Sequence, residues 1–354
     1  MDVPEARGDI SAAAAAALSS GHDLSNNQIQ GLRNTLALVG DVLRDDDLQI
    51  ALCMLYELHY RDFDDAAYDM EWSPGLISLR GWLERAHEAA LRRHVGRPTA
   101  AMLNRPLADV MFELAAPADG PDLSGFMART ATAAQYRELL IHRTAYHSKE
   151  ADPYTWVIPR LTGEAKSAMV EIQSDEYGNG RLERMHQQLF NRSLRALDLD
   201  DSYGAYVDDL PATTLAAANT VSFFGLNRRM RGALAGHFGG LEMTSSIPNR
   251  KYGNGLRRLG YSRDATWFFD EHVEADAVHE QLAVRRLCEG IVKQEPALHS
   301  DVLFGAMTYL WLEDRVAESM ISAWTEGVSS LRQLGSDRTS PDPANVALSL
   351  AGPT

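Results

Sequence analysis

The sequence predicts an all-α protein, and three features of its pattern support this fold class. Apolar residues recur at three- and four-residue steps from about 26 to 93, and again in five stretches after residue 120. Strand signals are missing: even Asn254-Gly255, a dipeptide typical of hairpins, has no alternating pattern on either side. Prolines fall at or near the junctions between the helical stretches, where proline is tolerated.

The five C-terminal helices are expected at about 124–151, 160–192, 211–246, 264–292 and 296–334. The Pro- and Gly-containing segment 115–121 is the best internal boundary. The first residues are small and polar, and the last are rich in Ser, Pro and Gly. We therefore expect four parts, namely a flexible arm at 1–23, an N-terminal helical region at 24–120, a helical bundle at 121–335 and a disordered tail at 336–354.

Composition limits the partners and the location. The formal net charge of -15 disfavours a nucleic-acid partner. No apolar run approaches the roughly 20 residues that a bilayer requires, so we expect no membrane association. The N-terminus carries acidic residues instead of a secretory pattern, and a cytoplasmic location is expected.

The cysteine content limits the metal chemistry. Cys53 and Cys288 are far apart and form no CxxC pair, which argues against a disulfide framework or a zinc ribbon. A bound metal would then have histidine and carboxylate ligands. Nitrogen and oxygen donors without sulfur favour iron or manganese, with zinc as the competitor.

The most informative segment carries His272, Asp276 and His279. At about 100° per residue, the four- and three-residue steps place all three side chains on one narrow helix face over two turns. Two imidazoles and one carboxylate suit ferrous iron. The alternative is an acidic, solvated helix whose histidines lie on the surface.

A second segment carries Glu176, Glu183 and His186. Glu183 and His186 form the ExxH step that diiron proteins place on bundle helices, and Glu176 lies two turns earlier on the same face. Gly178 and Gly180 are unusual inside a helix, since each costs about 1 kcal/mol relative to Ala. Either they permit close packing or a local distortion, or the Gly-Asn-Gly run ends the helix after Glu176.

A third helix is needed for a bridging carboxylate, and Glu150 is the candidate. It lies just before Pro153, which is expected to stop that helix. With Glu150, the constellation holds four carboxylates whose charge two ferrous ions would balance. Left without cations, that many buried anions would repel one another.

This pattern resembles a known family. The order of a first Glu, a second Glu about 26 residues later, an ExxH step and His-x-x-x-Asp-x-x-His is similar to the ligand pattern of the heme-oxygenase-like diiron oxidases and oxygenases. Segments 175–178 and 271–280 look like the bacterial proteins called iron-containing redox enzymes. The resemblance covers about residues 125–335. It implies a heme-oxygenase-like bundle, preceded by a helical extension, in which seven residues bind two iron ions: Glu150, Glu176, Glu183, His186, His272, Asp276 and His279.

The resemblance also implies a reaction. O2 is the expected co-substrate, and the organic substrate is expected to be a small amine, carboxylic acid or amino acid. The outcome would be N-oxygenation, desaturation or C–C cleavage, with electrons from an unidentified donor. Glu150 is the expected bridging ligand, while it stays open whether Glu176 binds metal in all states. The oligomeric state, including a homodimer, also stays open.

Two alternatives remain at this point. A ferroxidase or metal-binding protein would use the same ligands without an organic substrate. A heme-binding protein of the same fold would need an axial histidine away from competing carboxylates. The arginines at 228, 229 and 231 could bind a substrate carboxylate, although surface salt bridges are the more frequent explanation.

Overall fold

The computed structural model describes residues 1–116 and 120–333, and for residues 274–277 it describes the backbone alone. Within these ranges the chain forms helices and turns and contains no strand, so the prediction of an all-α fold is confirmed. The α-helices are α1 (Asp9–Ser20), α2 (Asn26–Leu36), α3 (Asp46–Glu57), α4 (Pro74–Val95), α5 (Ala100–Leu103), α6 (Leu107–Leu114), α7 (Leu123–Arg129), α8 (Ala133–His147), α9 (Asp152–Thr155), α10 (Gly163–Glu176), α11 (His186–Ala196), α12 (Ala212–Leu226), α13 (Arg231–Arg258), α14 (Arg263–Gln281), α15 (Glu289–Gln294) and α16 (His299–Thr325).

Helix α1 lies where the sequence predicts a flexible arm. Ile10 and Leu18 are buried, and the helix packs on α3. The Asp47 carboxylate of α3 accepts hydrogen bonds from the backbone N–H groups of Ile10 and Ser11, at 2.9 and 2.7 Å. This contact satisfies amides at the start of α1, which otherwise lack helical partners. The alanine run appears loose from composition, but its small side chains permit close helix packing.

The bundle is organised around α13, which packs on α14 and α16. Glycines allow the backbones of α13 and α16 to approach closely. A Cβ added to Gly236 would lie 1.8 Å from the carbonyl oxygen of Val302, and one added to Gly305 would lie 1.9 Å from that of Ala233. This crossing fixes α13 between its two neighbours, and one face of α13 turns toward the histidines of α14.

Pro248 does not end a helix, which corrects the boundary expected near residues 246–248. Helix α13 continues through it to Arg258. A proline inside a helix removes one backbone hydrogen bond and costs about 3 kcal/mol. Packing of α13 on α7, α14 and α16 outweighs this local cost.

Other predicted stretches also differ from the observed helices. Those expected at 124–151 and 211–246 are each divided, the first into α7 and α8 and the second into α12 and α13. The stretch expected at 160–192 is divided, because α10 ends at Glu176 and α11 begins at His186. The stretch expected at 264–292 is continuous but contains a π-helical segment, Leu282–Cys288, which packs against α10. Such segments often accompany functional sites.

The tail predicted at 336–354 lies outside the described residues. In the part of the chain that is described, no helix combines the length and apolar character needed to cross a membrane.

Candidate metal centre

Glu150 lies in the turn that follows α8, and its side chain is buried. Ala151 has a φ of 73°, a left-handed conformation that costs a non-glycine residue about 1–2 kcal/mol. Two amides from other elements hold the turn: Gln187 donates to the carbonyl of Ser148, and Gln173 donates to that of Ala151 over 3.2 Å. The surrounding structure therefore fixes the backbone on both sides of Glu150.

Glu176 and His186 lie at the two ends of a break between α10 and α11. Gly178, Asn179 and Gly180 all have positive φ values, of 65°, 52° and 77°. The alternative in which the Gly-Asn-Gly run ends the helix is thus the observed one. The chain folds back, and Nδ1 of His186 lies 3.0 Å from Oε2 of Glu176.

Glu183 lies in a short 3-10 helix, Leu182–Arg184, and its side chain is exposed. The expectation that Glu183 shares a face with Glu176 and His186 assumed an unbroken helix. The left-handed residues at 178–180 change the chain direction, so the two-turn spacing no longer places these side chains on one helix face. The structure corrects this placement and does not bring Glu183 to the cluster.

Gly178 is required by close backbone packing as well as by its positive φ. A Cβ at this position would lie 2.6 Å from the Met185 nitrogen, whereas a Cβ at Gly180 would meet nothing within 4 Å. We predict that Gly178→Ala lowers the free energy of unfolding by at least about 2–4 kcal/mol, since strain and overpacking add. The matched control Gly180→Ala should cost only about 1–2 kcal/mol. Urea unfolding measures both, and equal losses would contradict the packing argument.

His272 and His279 lie two turns apart on α14, and both are buried. Nδ1 of His272 donates to the Phe268 carbonyl oxygen over 2.8 Å, so Nε2 is the ring nitrogen that faces the cluster. Nε2 of His272 lies 3.4 Å from Oε1 of Glu150. Nδ1 of His279 lies 3.6 Å from carboxylate oxygens of both Glu176 and Glu242.

These side chains form two groups that share one residue. One group contains Glu150, Glu176, His186 and His272, and the other contains Glu176, Glu242 and His279. Within each group the candidate ligand atoms lie within 4.8 Å of one another, and every member is buried. Glu176 belongs to both groups. Glu176 is thus the residue common to both groups, whereas the sequence analysis expects Glu150 to be the bridging ligand.

Glu242 is the member that the sequence did not identify as a ligand. It lies on α13, outside any recognisable motif, and no spacing connects it with the other ligands. A signal would have been a single acid directly after residues 232–241, a stretch rich in Gly, Ala and Leu. Asp276, which the sequence analysis places among the ligands, is one of the residues whose side chains lie outside the description.

The electrostatics of Glu150 favour the ionised form. Burial alone raises its pKa, but the charges of His147 and His272 outweigh burial and hold the pKa well below its usual value. Nδ1 of His147 also lies 2.9 Å from Oε1 of Glu150. The carboxylate is therefore held as an anion beside positive charge.

The histidines of the cluster show the complementary effect. Burial lowers the pKa of His186, but the charge of Glu176 raises it by more. The net pKa therefore lies above the usual value. Burial also lowers the pKa of His279, while the neighbouring carboxylate of Glu242 raises it to about 9. In both cases the buried carboxylates attract positive charge, which a bound cation can supply instead of a proton.

The residues present fit metal ions. Oε2 of Glu150 and Nδ1 of His186 and His279 are buried atoms without a well-directed hydrogen bond. Buried polar atoms usually have hydrogen-bond partners. Three buried atoms without one in a single cluster indicate a site that a cation would occupy. Carboxylate and imidazole donors without thiolate suit iron.

A cavity of about 320 Å³ lies beside the cluster. Its wall includes Glu150, Glu176, Glu242 and His272, so a molecule in the cavity can reach the candidate ligands. Phe268 and other apolar side chains complete the wall near the cluster. The volume suits a small organic molecule.

Arg229 and Arg231, near the start of α13, form salt bridges. Arg229 pairs with Glu88 at 2.6 Å, and Arg231 pairs with Glu295. Among the described residues, the cavity wall includes neither of them. The salt-bridge interpretation thus agrees with the structure better than a role in binding substrate.

Fold and site together define a class of protein: a helical bundle with a buried carboxylate–histidine cluster suited to iron. A family model described as iron-containing redox enzyme matches residues 137–314, which is 178 of the 354 residues. The chain belongs to this family, and its fold is the heme-oxygenase-like helical fold that the sequence pattern predicts. The description of this family agrees with a site whose donors suit iron.

One curated relative is a nitrosourea synthase from Streptomyces achromogenes subsp. streptozoticus. It is 26% identical over 147 residues, which cover 41% of this chain. The match spans 31% of the length of that synthase. The similarity therefore supports the family and leaves the substrate of this chain to be argued from its own site.

Proposed function

We propose that the protein is a non-heme diiron enzyme that uses O2 to oxidise a small organic amine, carboxylic acid or amino acid. The observation that carries the proposal is the pair of buried ligand groups that share Glu176. A carboxylate common to two groups is the arrangement that places two metal ions side by side in helical bundles. Membership of the iron-containing redox family supports iron as the metal.

The protein's own residues would hold the ions and control their surroundings. One ion would be held by Glu150, His186 and His272, the other by Glu242 and His279, with Glu176 between them. When bound, ferrous ions supply electrons for the reduction of O2, and an external donor restores them. His147 orients Glu150 through the contact between Nδ1 and Oε1.

The cavity wall determines what can react. Phe190 and Phe268 are fully buried beside the cluster and exclude water from it. The cavity also favours an organic substrate over a simple ferroxidase, since a ferroxidase needs no space of this size beside its metals. Three acids within the cluster disfavour a heme-binding role, because they compete for the iron.

The first test is anaerobic reconstitution with Fe(II), followed by mixing with O2 in a stopped-flow spectrometer. We expect about two irons per chain. We also expect a transient visible absorption band that decays faster when the substrate is present. Repeated turnover of Fe(II) and O2 without organic reactant would favour the ferroxidase. One tightly held zinc, no iron, or a Soret band after heme addition would contradict the diiron proposal.

A further inference from the structure

An ion pair forms part of the cavity wall. Nη1 of Arg143, on α8, donates to Oε2 of Glu313, on α16, over 2.8 Å. Both residues line the cavity, and their side chains are 27% and 29% exposed. The pair is thus accessible to a molecule that occupies the cavity.

Tyrosines surround this pair. Tyr252 and Tyr309 also line the cavity. Burial raises the pKa of both hydroxyls, and the charges of Arg143 and Glu313 act on each of them, so the four side chains are near neighbours. The wall around the pair therefore offers charged and hydroxyl groups, whereas Phe268, which contacts His272, lines the wall beside the cluster.

The pair retains binding capacity. A guanidinium has five N–H donors in a planar fork. Glu313 and Tyr252 are hydrogen-bond partners of Arg143, and further donors of the fork remain for a ligand. A carboxylate accepts several hydrogen bonds, so Glu313 can bind a second cation while it contacts Arg143. Arg143 is suited to a ligand carboxylate because of its fork geometry, and Glu313 is suited to a protonated amine.

The position of the pair sets the orientation of a ligand. Arg143 precedes His147 by four residues on α8, which is about 6 Å along the helix axis, and His147 contacts Glu150. A ligand whose charged end lies at Arg143 would extend its other end along this face toward the cluster. The atom closest to the candidate metal ligands would lie several bonds from the charged end.

We propose that Arg143 and Glu313 bind the head group of a substrate that carries both a carboxylate and a protonated amine, as an α-amino acid does. This inference rests on the proposed function. The pair has no net charge, and a zwitterionic head adds none, so every charge in the half-buried site keeps a partner. A ligand with a single charge leaves the site with an uncompensated charge, which is costly in a cavity of low polarity. A purely structural link between α8 and α16 is the competing explanation.

The test compares three probes of similar chain length: L-norleucine, hexanoate and hexylamine. Binding is measured by isothermal titration calorimetry on the full chain without added iron, so the result does not depend on O2 chemistry. We expect norleucine to bind at least about tenfold more tightly than either singly charged probe. Arg143→Gln and Glu313→Gln should each weaken norleucine binding at least about tenfold.

Matched controls come from the same two helices. Arg137→Gln on α8 and Glu318→Gln on α16 remove exposed ion pairs, with Asp198 and Arg315, and should leave norleucine binding unchanged. If Arg143→Gln does not fold, Arg143→Lys replaces it, since lysine keeps the positive charge but lacks the planar fork. This variant should also bind norleucine more weakly than the wild type. Equal binding of the three probes, no binding of norleucine at millimolar concentration, or unchanged binding in the Arg143 variants would each overturn the proposal.

The two proposals fail in distinguishable ways. If norleucine binding depends on Arg143 but the protein takes up no iron, the head-group site is supported and the diiron function is contradicted. If the protein binds two irons that react with O2 but does not prefer the zwitterion, the diiron function is supported and this substrate class is contradicted.

Discussion

Replacement of Glu176 by alanine should abolish loading of both metal positions at once. Glu176 is the residue common to the two ligand groups, so its loss removes one donor from each. Removal of a residue that only supports a ligand typically weakens metal affinity 10- to 100-fold. We therefore expect a loss of at least about a hundredfold for a ligand shared by both ions. Anaerobic Fe(II) titration with a chromogenic chelator measures the stoichiometry and affinity.

Two further variants make this experiment specific. Glu183→Ala removes an exposed acid and should leave iron binding unchanged, although the sequence spacing alone assigns Glu183 to the site. Glu242→Ala alters one group only and should leave about one tightly bound iron. Loss of iron in Glu183→Ala together with retention in Glu176→Ala would show that the geometric assignment is wrong. Circular dichroism establishes that each variant remains helical.

The contrast between Glu183 and Glu242 shows what sequence periodicity can predict. Side-chain spacing is reliable where a helix is unbroken: His272 and His279 share a face of α14 and both are buried in the cluster. The same reasoning failed between Glu176 and Glu183, because three consecutive left-handed residues intervene. A periodic pattern carries no information about the direction of the chain after such a turn.

Glu242 shows a second limit. Its place in the cluster depends on how α13 packs against α14 and the π-helical segment Leu282–Cys288, which involves contacts distant in sequence. The overall fold was predictable because amphipathic periodicity is a local property. The packing of α1 was not, since its alanines lack a strong apolar signal, and only the contacts with α3 reveal that Leu18 and its neighbours are buried.

The N-terminal region contributes directly to the turn that carries Glu150. Nζ of Lys149, the preceding residue, donates to Oε2 of Glu57 over 3.0 Å. Glu57 lies on α3, outside the segment that matches the family model. The hydroxyl of Tyr203 donates to the second oxygen of Glu57 over 2.6 Å. This buried network therefore links α3 to the backbone beside a candidate metal ligand.

Replacement of Lys149 by methionine should lower the free energy of unfolding by about 3–5 kcal/mol, because it leaves Glu57 buried without its counter-charge. The two side chains are only 11% and 2% exposed. Urea unfolding measures the loss. Arg137→Met breaks an exposed pair on α8 and should cost less than about 1 kcal/mol. Similar losses in the two variants would contradict a special role for the buried pair.

A double variant separates stability from the positioning of Glu150. Replacement of both Lys149 and Glu57 by methionine removes the two charges together, and such exchanges are often neutral for stability. If the pair also positions the turn, the double variant should regain stability yet bind iron about 10- to 100-fold more weakly than the wild type, as loss of a supporting residue typically does. Full recovery of both properties would limit the pair to stability. Recovery of stability alone would mean that α3 helps to hold Glu150 in place, since Ala151 keeps its unfavourable φ only while the surrounding contacts fix the turn.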